Sequence, residues 1–304
     1  MQHMRLLPLY TALLAPIVMT QPARAQAIRE PEAEEWKMTA PDGVKLYVTE
    51  FGAGDTVVAI HGGFGAEHGY LLSAFTPFAK QYHFVLYDQR GSLRSDCADS
   101  LITLDKHIDD IELLRKNLHL EQLTLVTHSM GGFLAMNYIA RYPGRVKKLI
   151  LLASPSAHSS FEDLTSNINA SAMARWDRPA VIAELQQYGL SKEPPKNKSD
   201  KERWTWDRIT FAAINLHDVT KWKQIKGGPL FYSNKAGTAS IRSIQSDQWN
   251  FTEAIAAQNI PVYILHGDDD YLPYTYHNNW KERSRIRFYL IKDAGRSGPR
   301  LILI

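Results

Sequence analysis

A serine between an apolar run and a pair of glycines is the first feature with chemical potential. In LVTHSMGG (125–132) the leading residues read as the end of a buried strand, MGG opens a helix pattern, and Ser129 stands at the junction. A sharp strand-to-helix turn lifts a serine hydroxyl out of a sheet and into a pocket mouth. Gly131 and Gly132 keep one side of that turn clear, whereas Thr127 holds the usual place of a flanking glycine on the other. The Met130 amide, first in the helix, is placed to donate to an oxyanion. The Gly63 amide in HGGFGAEHGYL (61–71) is the candidate second donor, because adjacent glycines let backbone approach a substrate closely; a lone HGG also fits a plain turn. HGDDDYLP (266–273) follows another strand-like run and offers Asp270 to orient a catalytic imidazole, with Asp268 and Asp269 as solvated loop acids or caps. A serine nucleophile, an acid and two oxyanion donors point to acyl transfer through serine.

Those groups need a rigid frame, and the apolar pattern supplies one. KLYVTEF (45–51), TVVAIHGG (56–63), HFVLYDQ (83–89), LTLVTHS (123–129), VKKLILLAS (146–154), PVYILHGD (261–268) and RIRFYLIKDAG (285–295) read as strands. Several are apolar almost throughout, as strands covered on both faces are. Helix patterns at 102–118 and 130–142 lie between them. Alternating strands and helices predict an α/β fold with a mostly parallel, doubly wound sheet. Residues 155–250 break the alternation with a charged, helix-like stretch carrying tryptophans and tyrosines from Trp176 to Trp249. The expected organisation is a first core part at 28–154, an inserted helical cap at 155–250, and a second core part at 251–304.

Residues 1–27 read differently. A short positive start, an apolar run of about 15 residues and a small-residue ending give a secretory signal peptide rather than a span, which needs about 20. Cleavage after Ala25 or Ala27 is expected, which leaves no stable membrane insertion and predicts an exported protein, periplasmic or secreted. Loss of Arg5 and Arg24 lowers the formal charge from +3 to +1, which gives no electrostatic case for nucleic acid. The single cysteine, Cys97, excludes an internal disulfide and suits a bacterial periplasm.

The stretch HGGFGAEHGYLLSAFTPFAKQYHFVLYDQRGSLRSD (61–96) resembles the HGGPG-x-x-HDYL and DQRG-x-G-x-S segments of α/β-hydrolases of the proline iminopeptidase type. Asp88, Gln89, Arg90, Gly91 and Ser95 match, while Phe64, Gly69 and Leu93 depart from the pattern. The resemblance extends over roughly 38–297. It implies an α/β-hydrolase fold and removal of an N-terminal residue, typically proline, from peptides through an acyl-serine intermediate. Ser129 would attack, Asp270 would orient the base, and Gly63 and Met130 would hold the oxyanion. Cap carboxylates bind the substrate amine in such proteins; Glu162, Glu184, Glu193, Glu202, Asp207 and Asp218 are available here. The partner is a small peptide or ester, and serine chemistry needs neither metal nor organic cofactor.

The same resemblance implies a histidine after the last strand, in an A-G-H-S-like turn, and AGRS (294–297) puts Arg296 there. A guanidinium keeps its proton at any working pH and cannot take one from Ser129. An inert ion pair with Asp270 is the expected local effect. Of the other histidines, only His277 follows Asp270; His61 and His128 belong to the turn motifs, His68 is expected to line the pocket, and His158 and His217 lie in the cap. The resemblance also implies one more helix after this turn, where the sequence reads SGPRLILI. A catalytically dead relative or a reading frame shifted near codon 295 would explain both departures, and the shifted frame is the favoured expectation. A carboxylesterase on the same scaffold, or a non-catalytic binding protein whose Arg296 helps to hold an anionic ligand, are the alternatives.

Overall fold

Continuous apolar runs form the centre of the sheet in the computed structural model, which describes residues 32–196, 199–225 and 231–297. The expected signal peptide at 1–27 and the segment 298–304 lie outside the described residues. Strand β5 (Leu123–His128) is buried at all six positions and sits between β3 (Asp55–Ile60) and β6 (Val146–Leu152). The remaining strands of the sheet are β1 (Glu34–Thr39), β2 (Lys45–Gly52), β4 (Tyr82–Tyr87), β9 (Val262–Gly267) and β10 (Ile286–Ile291). Their order is β1-β2-β4-β3-β5-β6-β9-β10. Pairing is antiparallel from β1 to β2 and from β2 to β4, and parallel across the rest. The α/β architecture with a mostly parallel sheet is therefore as expected.

Two details differ from the sequence reading. β1 is a strand that the apolar pattern does not predict, because EEWKMT buries only Met38, as an edge strand can. Several strands also end earlier than the runs read for them, by two residues or more at Ile60, Tyr87, Leu152 and Ile291. Beyond those points the chain leaves the ladder and its side chains tie the loops together. Arg90 grips Asp110 through Nε and Nη2 at 2.8 and 2.6 Å, and Ser95 Oγ donates to the Asp88 carbonyl at 2.9 Å. The matched segment 88–95 is thus a structural brace beside the sheet.

Helices α1 (Gly69–Phe75), α2 (Leu104–Asn117), α3 (Met130–Arg141) and α8 (Thr252–Ala257) accompany the sheet. Thr103 caps α2 by accepting from the Lys106 amide at 3.3 Å. Tyr138 on α3 donates to Glu112 on α2 across 2.8 Å, which joins the two helices. Between β6 and β9 the chain forms α4 (Phe161–Trp176), α5 (Pro179–Gln186), α6 (Asp200–Asn215) and α7 (Asn234–Arg242). Short strands β7 (His158–Ser160) and β8 (Gln248–Asn250) pair antiparallel at its base. Val181, Leu185, Ile209, Ala212 and Trp222 give α5 and α6 an apolar core of their own. α7 instead joins the sheet side, where Ser240 Oγ lies 2.9 Å from His107 Nε2. Among the described residues, no helix is long and apolar enough to cross a membrane.

Candidate active site

The turn between β5 and α3 is forced by its neighbours. Ser129 has φ 55° and ψ −128°, a strained conformation for a residue with a side chain. Its amide donates to the Leu152 carbonyl at 3.0 Å and its carbonyl accepts from Gly132 at 3.0 Å. A Cβ on Gly131 would lie 2.4 Å from the Ile60 carbonyl oxygen, and one on Gly132 2.4 Å from Ser154 Oγ. Thr127 is tolerated on the other flank because its hydroxyl turns to β6 and donates to the Ile150 carbonyl at 3.2 Å. The Met130 amide, in the first turn of α3, has no acceptor within its own helix. Gly63 adopts φ +64°, which suits glycine, and with Ser129 it lines a pocket of about 290 Å³.

The pocket floor carries a link that sequence reading missed. The Gly62 amide donates to Tyr70 Oη at 2.7 Å, and Tyr70 Oη lies 2.7 Å from His128 Nδ1. His128 Nε2 is 3.1 Å from the Arg296 carbonyl oxygen. A carbonyl can only accept, so Nε2 carries the proton and Tyr70 donates to Nδ1. Burial, reinforced by the nearby Arg296 cation, pushes His128 down to about 4. It is therefore a neutral linker between the glycine turn and the Arg296 loop. The link's two side chains stand in motifs visible in the sequence, Tyr70 in HGY (68–70) and His128 beside Ser129.

Arg296 reaches both of the other candidate residues. Its Nη2 donates to Ser129 Oγ at 2.7 Å, and its Nη1 lies 3.1 and 3.3 Å from the two Asp270 oxygens. The ion pair with Asp270 is present, and the bond to Ser129 is an addition to what sequence suggested. The guanidinium is 3% exposed and stacks over Tyr271, with Cζ 4.4 Å from the ring centre. Burial alone would lower its pKa, but Tyr271 and Asp270 together hold it above the ordinary value. It is a fixed cation and a donor. Asp270 also accepts from the Leu272 amide at 2.9 Å.

The three aspartates of HGDDDYLP have separate tasks. Asp268 lies 3.4 Å from the Ala294 amide, at the base of the Arg296 loop. Asp269 accepts from Arg175 at 2.8 Å, from Arg178 at 2.7 Å, and faces His217 Nδ1 at 3.0 Å. It is not the solvated acid that the sequence suggests; it ties α4, the turn before α5 and the end of α6 to the sheet. The Arg296 loop is further fixed by a hydrogen bond from the Ser297 amide to the Asn215 carbonyl, 3.1 Å.

Among the described residues, no hydrogen bond joins the other histidines to the serine. His277 is fully buried, bonded to His266 at 3.3 Å and to the Trp280 indole at 3.2 Å. His61 pins its own turn, accepting from the Gln89 amide at 3.1 Å. His68, expected in the pocket, is sealed instead: Nδ1 lies 2.7 Å from Asp88 and Nε2 3.0 Å from Thr49 Oγ1. His158 is exposed. Among the described residues, no three His, Cys, Asp or Glu side chains converge to hold a metal ion.

The carboxylates available for a substrate amine are also elsewhere. Glu184 accepts from the Trp222 indole at 2.7 Å, Glu202 closes a capping box with Ser199, and Asp218 caps the turn at Thr220. Glu162, Glu193 and Asp207 are exposed. Among the described residues lining the pocket there is no carboxylate, and the charged ones are Arg296 and Lys221.

The family model of the alpha/beta hydrolase fold matches residues 55–298. The chain belongs to the α/β-hydrolase family. Within it, the chain is 29% identical to a proline iminopeptidase of Elizabethkingia meningoseptica over 167 residues, 51% of this chain and 53% of that protein. It is 34% identical to a cis-3-alkyl-4-alkyloxetan-2-one decarboxylase of Shewanella oneidensis over 121 residues, 38% of each. The chain thus spans between 38% and 53% of the length of these two curated relatives. A proline iminopeptidase-related protein from Thermus thermophilus shares the fold, with TM-score 0.61 and 24% identity over 89% of this chain and 92% of that one. The expected likeness to proline iminopeptidases is borne out by these relatives.

Proposed function

We propose that this α/β-hydrolase binds a small acyl compound at Ser129 and does not turn it over. The observation that carries the reading is the 2.7 Å bond from Arg296 Nη2 to Ser129 Oγ. Hydrolysis through serine needs a group that takes the hydroxyl proton, hands it to the leaving group, and then activates water for deacylation. A guanidinium held above its ordinary pKa is already protonated and donates to the very oxygen it would have to deprotonate. The acyl-binding parts remain in this reading: Ser129 as the nucleophile position, Asp270 as the acid position, and the Gly63 and Met130 amides as oxyanion donors.

Peptidase specificity of the iminopeptidase kind is not favoured. A substrate with a free amino terminus needs a carboxylate partner, and the described lining offers Arg296 and Lys221 instead. An acyl ligand without a cationic end fits better. Export of the mature protein remains part of the proposal, checked by the N-terminal sequence of the protein recovered from cells.

The function is tested with p-nitrophenyl butyrate and proline naphthylamide, together with labelling of Ser129 by a fluorophosphonate. The expected result is turnover no greater than that of Ser129→Ala with either substrate, and no labelling. Turnover that Ser129→Ala abolishes would overturn the reading.

A further inference from the structure

The pocket around Ser129 has a charge pattern that selects a ligand class. This inference rests on the reading that Ser129, Arg296 and the two oxyanion amides form one site. Arg296 is 3% exposed and stands at the lining of the pocket, fixed by Asp270 and by the Tyr271 ring. A guanidinium carries five N–H donors, and the described bonds to Asp270 and Ser129 are three. Lys221 enters the same lining from the helical segment, with its ammonium 3.6 Å from Asp218. Phe211, Leu216 and Ile225 supply apolar wall.

We propose that this pocket binds a small monocarboxylate with an apolar chain. One carboxylate oxygen takes the place of an oxyanion at the Gly63 and Met130 amides, and the other accepts from Arg296. The chain lies along Phe211, Leu216 and Ile225. Three features of the site agree on this class. A planar guanidinium matches a carboxylate better than any other common anion-binding side chain. The start of α3, a helix of 12 residues, adds the partial positive charge of its free amides. The lining carries two cations and, among the described residues, no carboxylate of its own; the aspartates that pair with them, Asp270 and Asp218, stand outside the lining. An amine is excluded by the same arrangement, and a neutral acyl group loses the bond to the cation. A cavity of about 290 Å³ limits the ligand to a short chain.

The test is calorimetric titration of the full chain with three probes of equal length: hexanoate, hexanamide and hexylamine. Hexanoate is expected to bind at least about tenfold more tightly than hexanamide, the usual gain for a hydrogen bond to a charged group, with no detectable binding of hexylamine. Arg296→Met should bring hexanoate down to the level of hexanamide, and Lys221→Met should weaken hexanoate by a smaller factor. The wild-type series stands by itself if Arg296→Met does not fold. Equal affinity for hexanoate and hexanamide, or tighter binding of hexylamine, overturns the ligand class. Because the readout is binding rather than turnover, a protein that hydrolyses esters would refute the functional reading while leaving this result to be judged separately.

Discussion

The guanidinium of Arg296 donates to Ser129 Oγ across 2.7 Å while its other terminal nitrogen holds Asp270 at 3.1 Å. One side chain therefore joins the two residues that an imidazole joins in a serine triad, with the direction of the hydrogen bond to serine reversed. A base would accept there; this group gives.

A buried pair of this kind is costly to break from one side. Asp270→Ala leaves Arg296 as an uncompensated buried cation, and the expected loss is about 3–5 kcal/mol in urea unfolding. Asp270→Ala combined with Arg296→Leu should recover most of it, because the charge goes too. A single Asp270→Ala loss below about 1 kcal/mol would show that the pair is well solvated.

Acid should loosen the helical segment through Asp269. Burial raises its pKa, but Arg178, Arg175 and His217 outweigh burial and hold it below the ordinary 3.8. A depressed folded-state value gives stabilisation that is complete above the unfolded value and lost as pH falls through the folded one. Asp269→Asn should therefore cost about 1.5–3 kcal/mol above about pH 5. The gap between wild type and variant should close progressively below about pH 4. Proteolysis within 161–242, followed across this range, reads the same loosening; a gap that does not vary with pH contradicts it.

The serine turn is sterically closed on its helix side. Gly132→Ala places a methyl 2.5 Å from Ser154 Cβ, and the expected cost is about 1–3 kcal/mol of overpacking. Removing the obstacle with Ser154→Gly should restore part of the loss. A neutral Gly132→Ala in thermal unfolding would mean that the turn has more room than the geometry allows.

Much of this is legible in sequence because the relevant physics is local. β3, β5, β6 and β9 are largely apolar runs, and a strand covered on both faces has little choice but to read that way. Ser129 and Asp270 can be picked out because each closely follows such a run. Arg296 is visible as the wrong residue for proton transfer, and its pairing with Asp270 follows from charge alone. What sequence does not reveal depends on distant partners. Asp269 meets Arg175 and Arg178 across more than 90 positions, from a part of the chain whose orientation no periodicity specifies. Tyr70 and His128 are 58 residues apart and meet only once the sheet places β5 beside the glycine turn. His68 misleads for the converse reason: its neighbours in sequence line the pocket, but its ring turns inward to Asp88.

The most direct test of the account is Arg296→His, assayed with p-nitrophenyl butyrate beside wild type and the Ser129→Ala, Arg296→His double variant. A positioned general base contributes about 10²–10⁴-fold. The account predicts a gain within that range over wild type, abolished by Ser129→Ala. A wild-type protein already as active as the histidine variant, with activity dependent on Ser129, would contradict it.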